Sequence, residues 1–162
     1  MIGSDKIFLL LGSNLGDRAG IIRQARQLIA EKAPIITQSS IYETEPWGLT
    51  DQPPFLNQVI EVTSPEEPEI LLKYLLNIEQ ELGRVRKVRW GARLIDIDML
   101  YYDDIIIESP ALILPHPRLK ERRFTLIPLS EIASGFIDPK LKKPVSQLLE
   151  ECQDQSHVFK YS

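Results

Sequence analysis

The 162-residue chain is long enough to bury a substantial core, and its 43% hydrophobic and 26% charged side chains are ordinary for a soluble globular protein. No apolar run reaches the ~18 residues that mark a spanning helix, and a formal net charge of -4 argues against a general polyanion binder. The lone Cys152 can form no internal disulfide and has no plausible base beside it, so a thiol nucleophile is not expected. Residues 1–6 do not read as a signal peptide, the apolar run 7–11 being too short, and a cytoplasmic setting is expected.

Residues 6–11 read as a buried central strand closed by the turn signal Gly12-Ser13-Asn14, where Gly12 either permits close approach of another group or simply makes the turn. Asp17 or Asn14 can cap the helix that follows; Ile21, Ile22, Ala25, Leu28 and Ile29 form its apolar face, and Pro34 stops it. Residues 35–44 read as one strand of mixed alternation. Residues 45–54 hold Pro46, Gly48, Pro53 and Pro54 and are expected to be irregular; Trp47 among them is either a hydrophobic plug or a lid residue.

The next strand, 55–62, places Phe55, Asn57, Val59 and Glu61 on one face and Leu56, Gln58, Ile60 and Val62 on the other. Asn57 beside an aromatic either reads the edge of a heterocycle, for which an amide offers both donor and acceptor, or is an exposed strand residue. Ser64-Pro65-Glu66-Glu67 reads as a helix start, with Ile70, Leu71, Tyr74, Leu75, Ile78 and Leu82 as the core stripe and Gly83 at the end. Glu79 near that end is a salt-bridge partner, a ribose acceptor or a purely structural group.

A strand carrying Asp96 and Asp98 follows, then a turn over 101–104 and a short returning strand over 105–107. His116 is boxed between Pro115 and Pro117, a rigid frame, beside the basic cluster Arg118, Lys120, Arg122 and Arg123; it is either structural or a positioned contact. Residues 125–132 read as a helix on the sheet and 144–152 as one more short helix. The order strand–helix–strand–strand–helix–strand predicts an α+β fold: a ferredoxin-like βαββαβ antiparallel sheet, both long helices on one face, with C-terminal additions. A single domain over 1–162 is expected, and a monomer, since no apolar stripe is left over for a partner.

Residues 84–100 concentrate the chemistry. Arg84, Arg86, Lys87, Arg89 and Arg93 come with no acid among them, and then two aspartates stand at alternate positions of an apolar strand. Strand residues two apart share a face, with Cα atoms roughly 6.5 Å apart. Carboxylates that close repel unless a cation sits between them. Mg2+ suits such a pair, with phosphate oxygens and water completing its shell, and guanidinium forks suit the phosphates. Alone, Asp-x-Asp is equally the pattern of solvated positions on an amphipathic strand, and the basic run that of an exposed loop. Their adjacency in an acidic chain points to a metal–polyphosphate site.

Gly12-Ser13-Asn14-Leu15-Gly16, Phe55-Leu56-Asn57, Arg84-x-Arg86 through Trp90-Gly91-x-Arg93-x-x-Asp96-x-Asp98, and Pro115-His116-Pro117-Arg118 through Arg122-Arg123-Phe124 resemble, in order and spacing over residues 6–133, the 6-hydroxymethyl-7,8-dihydropterin pyrophosphokinases of folate biosynthesis. The resemblance implies transfer of pyrophosphate from ATP to the pterin hydroxymethyl oxygen, with release of AMP. It implies two Mg2+ ions on Asp96 and Asp98, and Arg84, Arg93, Asp96 and Asp98 as the catalytic set. It assigns Glu79, Arg84, Arg86, Trp90, Arg93, His116 and Arg122 to ATP, and Thr44, Trp47, Gly48, Phe55, Asn57 and Phe124 to the pterin.

The chain departs from the family pattern at Ala92 and Leu94, where relatives often carry Pro and Thr around the arginine, and at Ala111, where some carry a basic residue. The loop between Lys87 and Trp90 is one residue shorter than in some relatives. The alternative reading is a ferredoxin-like RNA-binding module using the 84–93 basic segment; it requires exposed aromatics on the central strands.

Overall fold

A computed structural model describes residues 6–45, 54–84 and 94–161, with the Arg84 side chain left aside. The apolar run of β1 (Ile7–Ser13) is buried on both faces, and this strand lies inside the sheet, one place in from its edge. It pairs antiparallel with β4 (Phe55–Val62) on one side and β5 (Asp96–Tyr102) on the other. The outer edge of β4 carries β2 (Ile35–Gln38) and β3 (Tyr42–Thr44), and β3 in turn carries β8 (Val158–Lys160), giving the order β5-β1-β4-β3-β8. This is the expected antiparallel α+β arrangement.

Helix α1 (Arg18–Ala30) begins where Asp17 accepts the Gly20 N–H at 3.2 Å, so Asp17 is the cap. Helix α2 (Pro68–Arg84) starts later than the Ser64-Pro65 signal. The Ser64 hydroxyl is spent on the Glu66 N–H in a local turn, and Pro68 supplies the first helical position instead. That register buries Leu71, Leu75, Ile78 and Leu82 and turns Ile70 out to 52% exposure. Both helices pack on one face, over Ile7, Leu9 and Leu11 of β1, Leu56, Ile60 and Val62 of β4, and Ile97 and Met99 of β5.

The other face carries a second core. Phe8, Leu10, Val59, Leu100 and Tyr101 pack against α3 (Arg123–Ala133) and α4 (Val145–Glu151). A register shift opposite Phe8 and Leu9 leaves Leu100 as an extra residue in β5, so Leu100 and Tyr101 both point into this core. The strand therefore runs through Tyr102, and the turn is confined to Asp103 and Asp104, with Asp103 at φ 54°.

Two expected strands are revised. The single strand over 35–44 is two, because the buried Ser39 takes over the ladder: its hydroxyl accepts the Val59 N–H at 3.0 Å and its carbonyl accepts from Gln58 Nε2 at 2.7 Å. The strand expected over 105–107 does not return along β5. Instead β6 (Ile107–Glu108) pairs with β7 (Ile113–Leu114) in a small hairpin whose turn is closed by Ser109 and Leu112.

Candidate active site

The site lies on the α3-side face, at the Gly12 end of β1. Register places Gly12 opposite both Asp96 and Asn57, and Asn57 opposite Tyr42. One step to either side, Asp98 stands opposite Leu10, and Phe55 opposite Thr44. Strict alternation puts Asp96, Asp98, Asn57, Phe55 and Thr44 on one face. The carboxylates on β5 and the amide on β4 are thus two strand spacings apart, about 9.5 Å across the sheet.

The residue between them is a glycine, Gly12. A Cβ built on Gly12 would lie 2.8 Å from Asn57 Nδ2, so the amide reaches across this position. Asn57 is buried at 4% exposure, yet its Oδ1 has no hydrogen-bond partner among the described residues; the Thr44 and Thr125 hydroxyls share that condition. An unmet buried polar atom costs about 1–3 kcal/mol. Such an atom calls for a partner beyond the described residues, and a ligand is one.

Asp96 and Asp98 are half-buried. Among the described residues no group of three or more His, Cys, Asp or Glu is gathered as a full metal cage. Two carboxylates without a cage suit a hard cation that takes its remaining ligands from phosphate and water. β5 is an edge strand, and the outward Ile97 N–H between the aspartates donates to Glu79 Oε2 at 2.7 Å. Glu79 thereby fixes the peptide that aims both carboxylates, a role that follows from its place near the end of α2.

His116 is tied to the same strand, its N–H donating to the Leu100 carbonyl at 3.0 Å. Its Nδ1 accepts the Arg118 N–H at 3.1 Å, so the neutral ring carries its proton on Nε2 as a donor. Burial lowers its pKa and the Arg122 and Arg118 charges lower it further, against the upward pull of Asp98; the net effect is to keep it neutral. Arg122 lies over the Phe124 ring, Cζ 5.5 Å from the centroid, and Phe124 packs on the α3-side core.

The described residues thus bring together Asp96, Asp98, Glu79 and His116 around β5, Asn57, Phe55 and Thr44 around β4, and Arg122 with Phe124 at the start of α3. Trp47, Gly48, Arg86, Trp90 and Arg93, and the side chain of Arg84, lie outside the described residues. For Gly12 the sequence left two readings, close approach of another group or an ordinary turn, and the crowding against Asn57 favours the first; the unpartnered hydroxyl of Thr125 had no signal in the sequence.

A model of the 7,8-dihydro-6-hydroxymethylpterin-pyrophosphokinase (HPPK) family matches residues 8–134. The 2-amino-4-hydroxy-6-hydroxymethyldihydropteridine pyrophosphokinase of Bacillus subtilis is 48% identical over 127 residues, covering 77% of this chain and 76% of its own. That of Aquifex aeolicus is 39% identical over 145 residues, 90% of this chain and 91% of its own. In fold the chain is similar to a Plasmodium falciparum HPPK-DHPS crystal structure, with a TM-score of 0.74 at 17% identity over 93% of this chain; it spans 46% of that longer chain.

Proposed function

The chain belongs to the 7,8-dihydro-6-hydroxymethylpterin-pyrophosphokinase family, and from that premise we propose that it transfers pyrophosphate from ATP to 6-hydroxymethyl-7,8-dihydropterin and releases AMP, in folate biosynthesis. One observation carries the assignment to this site: a carboxylate pair and a buried amide, whose oxygen has no partner among the described residues, face the same space across Gly12. Asn57 Oδ1 and Nδ2 suit the adjoining donors and acceptors of a pterin edge. Phe55 and Phe124 supply apolar faces for its ring, and Thr44 a further hydroxyl.

In the reaction the hydroxymethyl oxygen forms a bond to the β-phosphorus. The bond from that phosphorus to the oxygen bridging it to the α-phosphorus breaks, AMP carries that oxygen away, and the hydroxyl proton is lost. Little covalent help is needed; positioning and charge stabilisation decide the rate. Asp96 and Asp98 would hold Mg2+, two ions in the full reading, which when bound neutralises charge on the polyphosphate and acidifies a coordinated hydroxyl. Glu79 keeps both carboxylates aimed through the Ile97 N–H. His116 offers Nε2–H, and Arg122 its guanidinium, to ATP oxygens. Arg84, Arg86, Trp90 and Arg93 complete the ATP side, and Trp47 and Gly48 the pterin side, in the same proposal.

Residues 1–162 then act as one pterin pyrophosphokinase domain, a cytoplasmic monomer with no nucleic-acid partner. Among the described residues no helix is long and apolar enough to cross a membrane. The RNA-binding alternative gains no support: the central strands give Phe8, Leu10, Val59 and Leu100 to α3 and α4 rather than aromatics to a base. The test is AMP release from ATP and 6-hydroxymethyl-7,8-dihydropterin with the purified chain. Release that requires both substrates and Mg2+ is expected; its absence removes the assignment.

A further inference from the structure

We propose that β8 and Arg18 form a brace that positions the pterin half of the site, acting through β3; this rests on the pterin pyrophosphokinase reading above. Thr44 stands on β3, a strand of three residues. A strand so short has little stability of its own, and its neighbours decide where it lies. Its inner edge pairs with β4, Thr44 opposite Phe55, and its outer edge with β8, Thr44 opposite Val158. The pairing runs past both ends of β3: Tyr161 N donates to Ile41 O at 2.8 Å and Glu45 N to His157 O at 3.4 Å. The alternation of an antiparallel ladder makes Glu43 and Phe159 the bonded pair between these two.

Arg18 ties that edge to the body of the molecule. Its guanidinium donates to Glu43 Oε2 at 2.9 Å and to the Pro54 carbonyl at 2.7 Å, and its Cζ lies 5.6 Å from the centroid of the Tyr161 ring. One guanidinium nitrogen, Nη1, therefore joins β3 to the residue preceding Phe55, and the face of the same group reaches the residue following β8. The Arg18 and Glu43 side chains are only 21% and 18% exposed, so solvent screens the pair less than a surface ion pair. The family match ends at residue 134, which leaves β8 and Tyr161 outside it. Neither Arg18 nor any residue of β8 is among those assigned to ATP or the pterin, so both are positioning elements. Loosening them shifts Thr44 and Phe55, while Asp96 and Asp98 on β5 stay, with β1 and β4 between.

Two substitutions at one position separate the ladder from the side chain. Phe159→Pro removes the central donor, and Phe159→Ala keeps it. In the AMP-release assay on the full chain, Phe159→Pro and Arg18→Met are each expected to raise the KM for the pterin about tenfold, the equivalent of about 1.4 kcal/mol. The KM for ATP–Mg2+ and kcat should hold within about twofold, the pattern of lost binding on one side only. Phe159→Ala should behave as the unaltered chain, and Arg18→Lys, which keeps the charge without the fork, should recover part of the loss. A KM for ATP that rises as much as that for the pterin, or an unchanged pterin KM in Arg18→Met, overturns the brace. An unaltered chain that releases no AMP overturns the underlying reaction instead, and so the two failures are told apart.

Discussion

Asn57 and Gly12 act as one unit, and their coupling can be measured. Substituting Gly12 by alanine puts a methyl 2.8 Å from Asn57 Nδ2, inside van der Waals contact, and forces the amide off the position it holds. Gly12→Ala is therefore expected to weaken pterin binding nearly as far as Asn57→Ala, and the double variant to be little worse than either single one. ATP–Mg2+ affinity should not change, and calorimetric titration of each ligand checks both statements. Glu79 invites a similar comparison. Glu79→Ala strands the Ile97 N–H and should cost about 1–3 kcal/mol of stability as well as kcat, whereas Glu79→Gln keeps an acceptor and should retain most of both. The alternation of Asp96 and Asp98 was legible because it is local. The role of Gly12 was legible only as one of two readings, since what approaches it is decided once β1 and β4 are in register.

Among the elements, α3 is latched to β3 by a single carboxylate. Glu131 accepts from Tyr42 Oη at 2.7 Å, from Ser40 N at 3.1 Å and from Ser40 Oγ at 3.0 Å. Burial pushes its pKa up, but these hydrogen bonds and the Lys160 charge together outweigh it and hold the carboxyl below its ordinary value. Burial, joined by the bond to Glu131, pushes Tyr42 up to about 12. The signs give a window. The Glu131 contribution is present above its ordinary carboxylate pKa and is lost as pH falls through the depressed one. The Tyr42 contribution is present below its ordinary pKa near 10 and is lost as pH rises towards about 12. Thermal melting across pH should show both shoulders, with the acid one flattened in Glu131→Gln by at most about 1 kcal/mol, since the carboxylate is largely exposed. Elements with long repeats, such as the α2 stripe, could be read from sequence. The break at Ser39, the extra Leu100 and the three-residue β8 could not, because each depends on a partner strand rather than on local period.

At the scale of the molecule, one sheet separates two cores, and β1 feeds both: Leu9 and Leu11 to α1 and α2, Phe8 and Leu10 to α3 and α4. The antiparallel sheet with both long helices on one face was legible from the order of elements; the second core was visible in sequence only as a helix on the sheet. The proposed metal pair sits on the sheet's edge strand, and its half-buried side chains face away from the Ile97 and Met99 core and belong to neither core cluster. Function and stability should therefore separate cleanly there. Without a cation the two aspartates repel each other, so Asp98→Asn relieves a charge and should leave the melting temperature of the unliganded chain unchanged or slightly raised. With ligand the order reverses. A ligand at one hundred times its Kd adds about 2.7 kcal/mol to the folded state, which for a chain of this length moves the midpoint by about 5–10 °C. ATP with Mg2+ should produce that rise in the unaltered chain, ATP with a chelator should not, and Asp98→Asn should show none under either condition. A full Mg2+-dependent rise in Asp98→Asn, seen by scanning calorimetry, would place the polyphosphate somewhere other than β5.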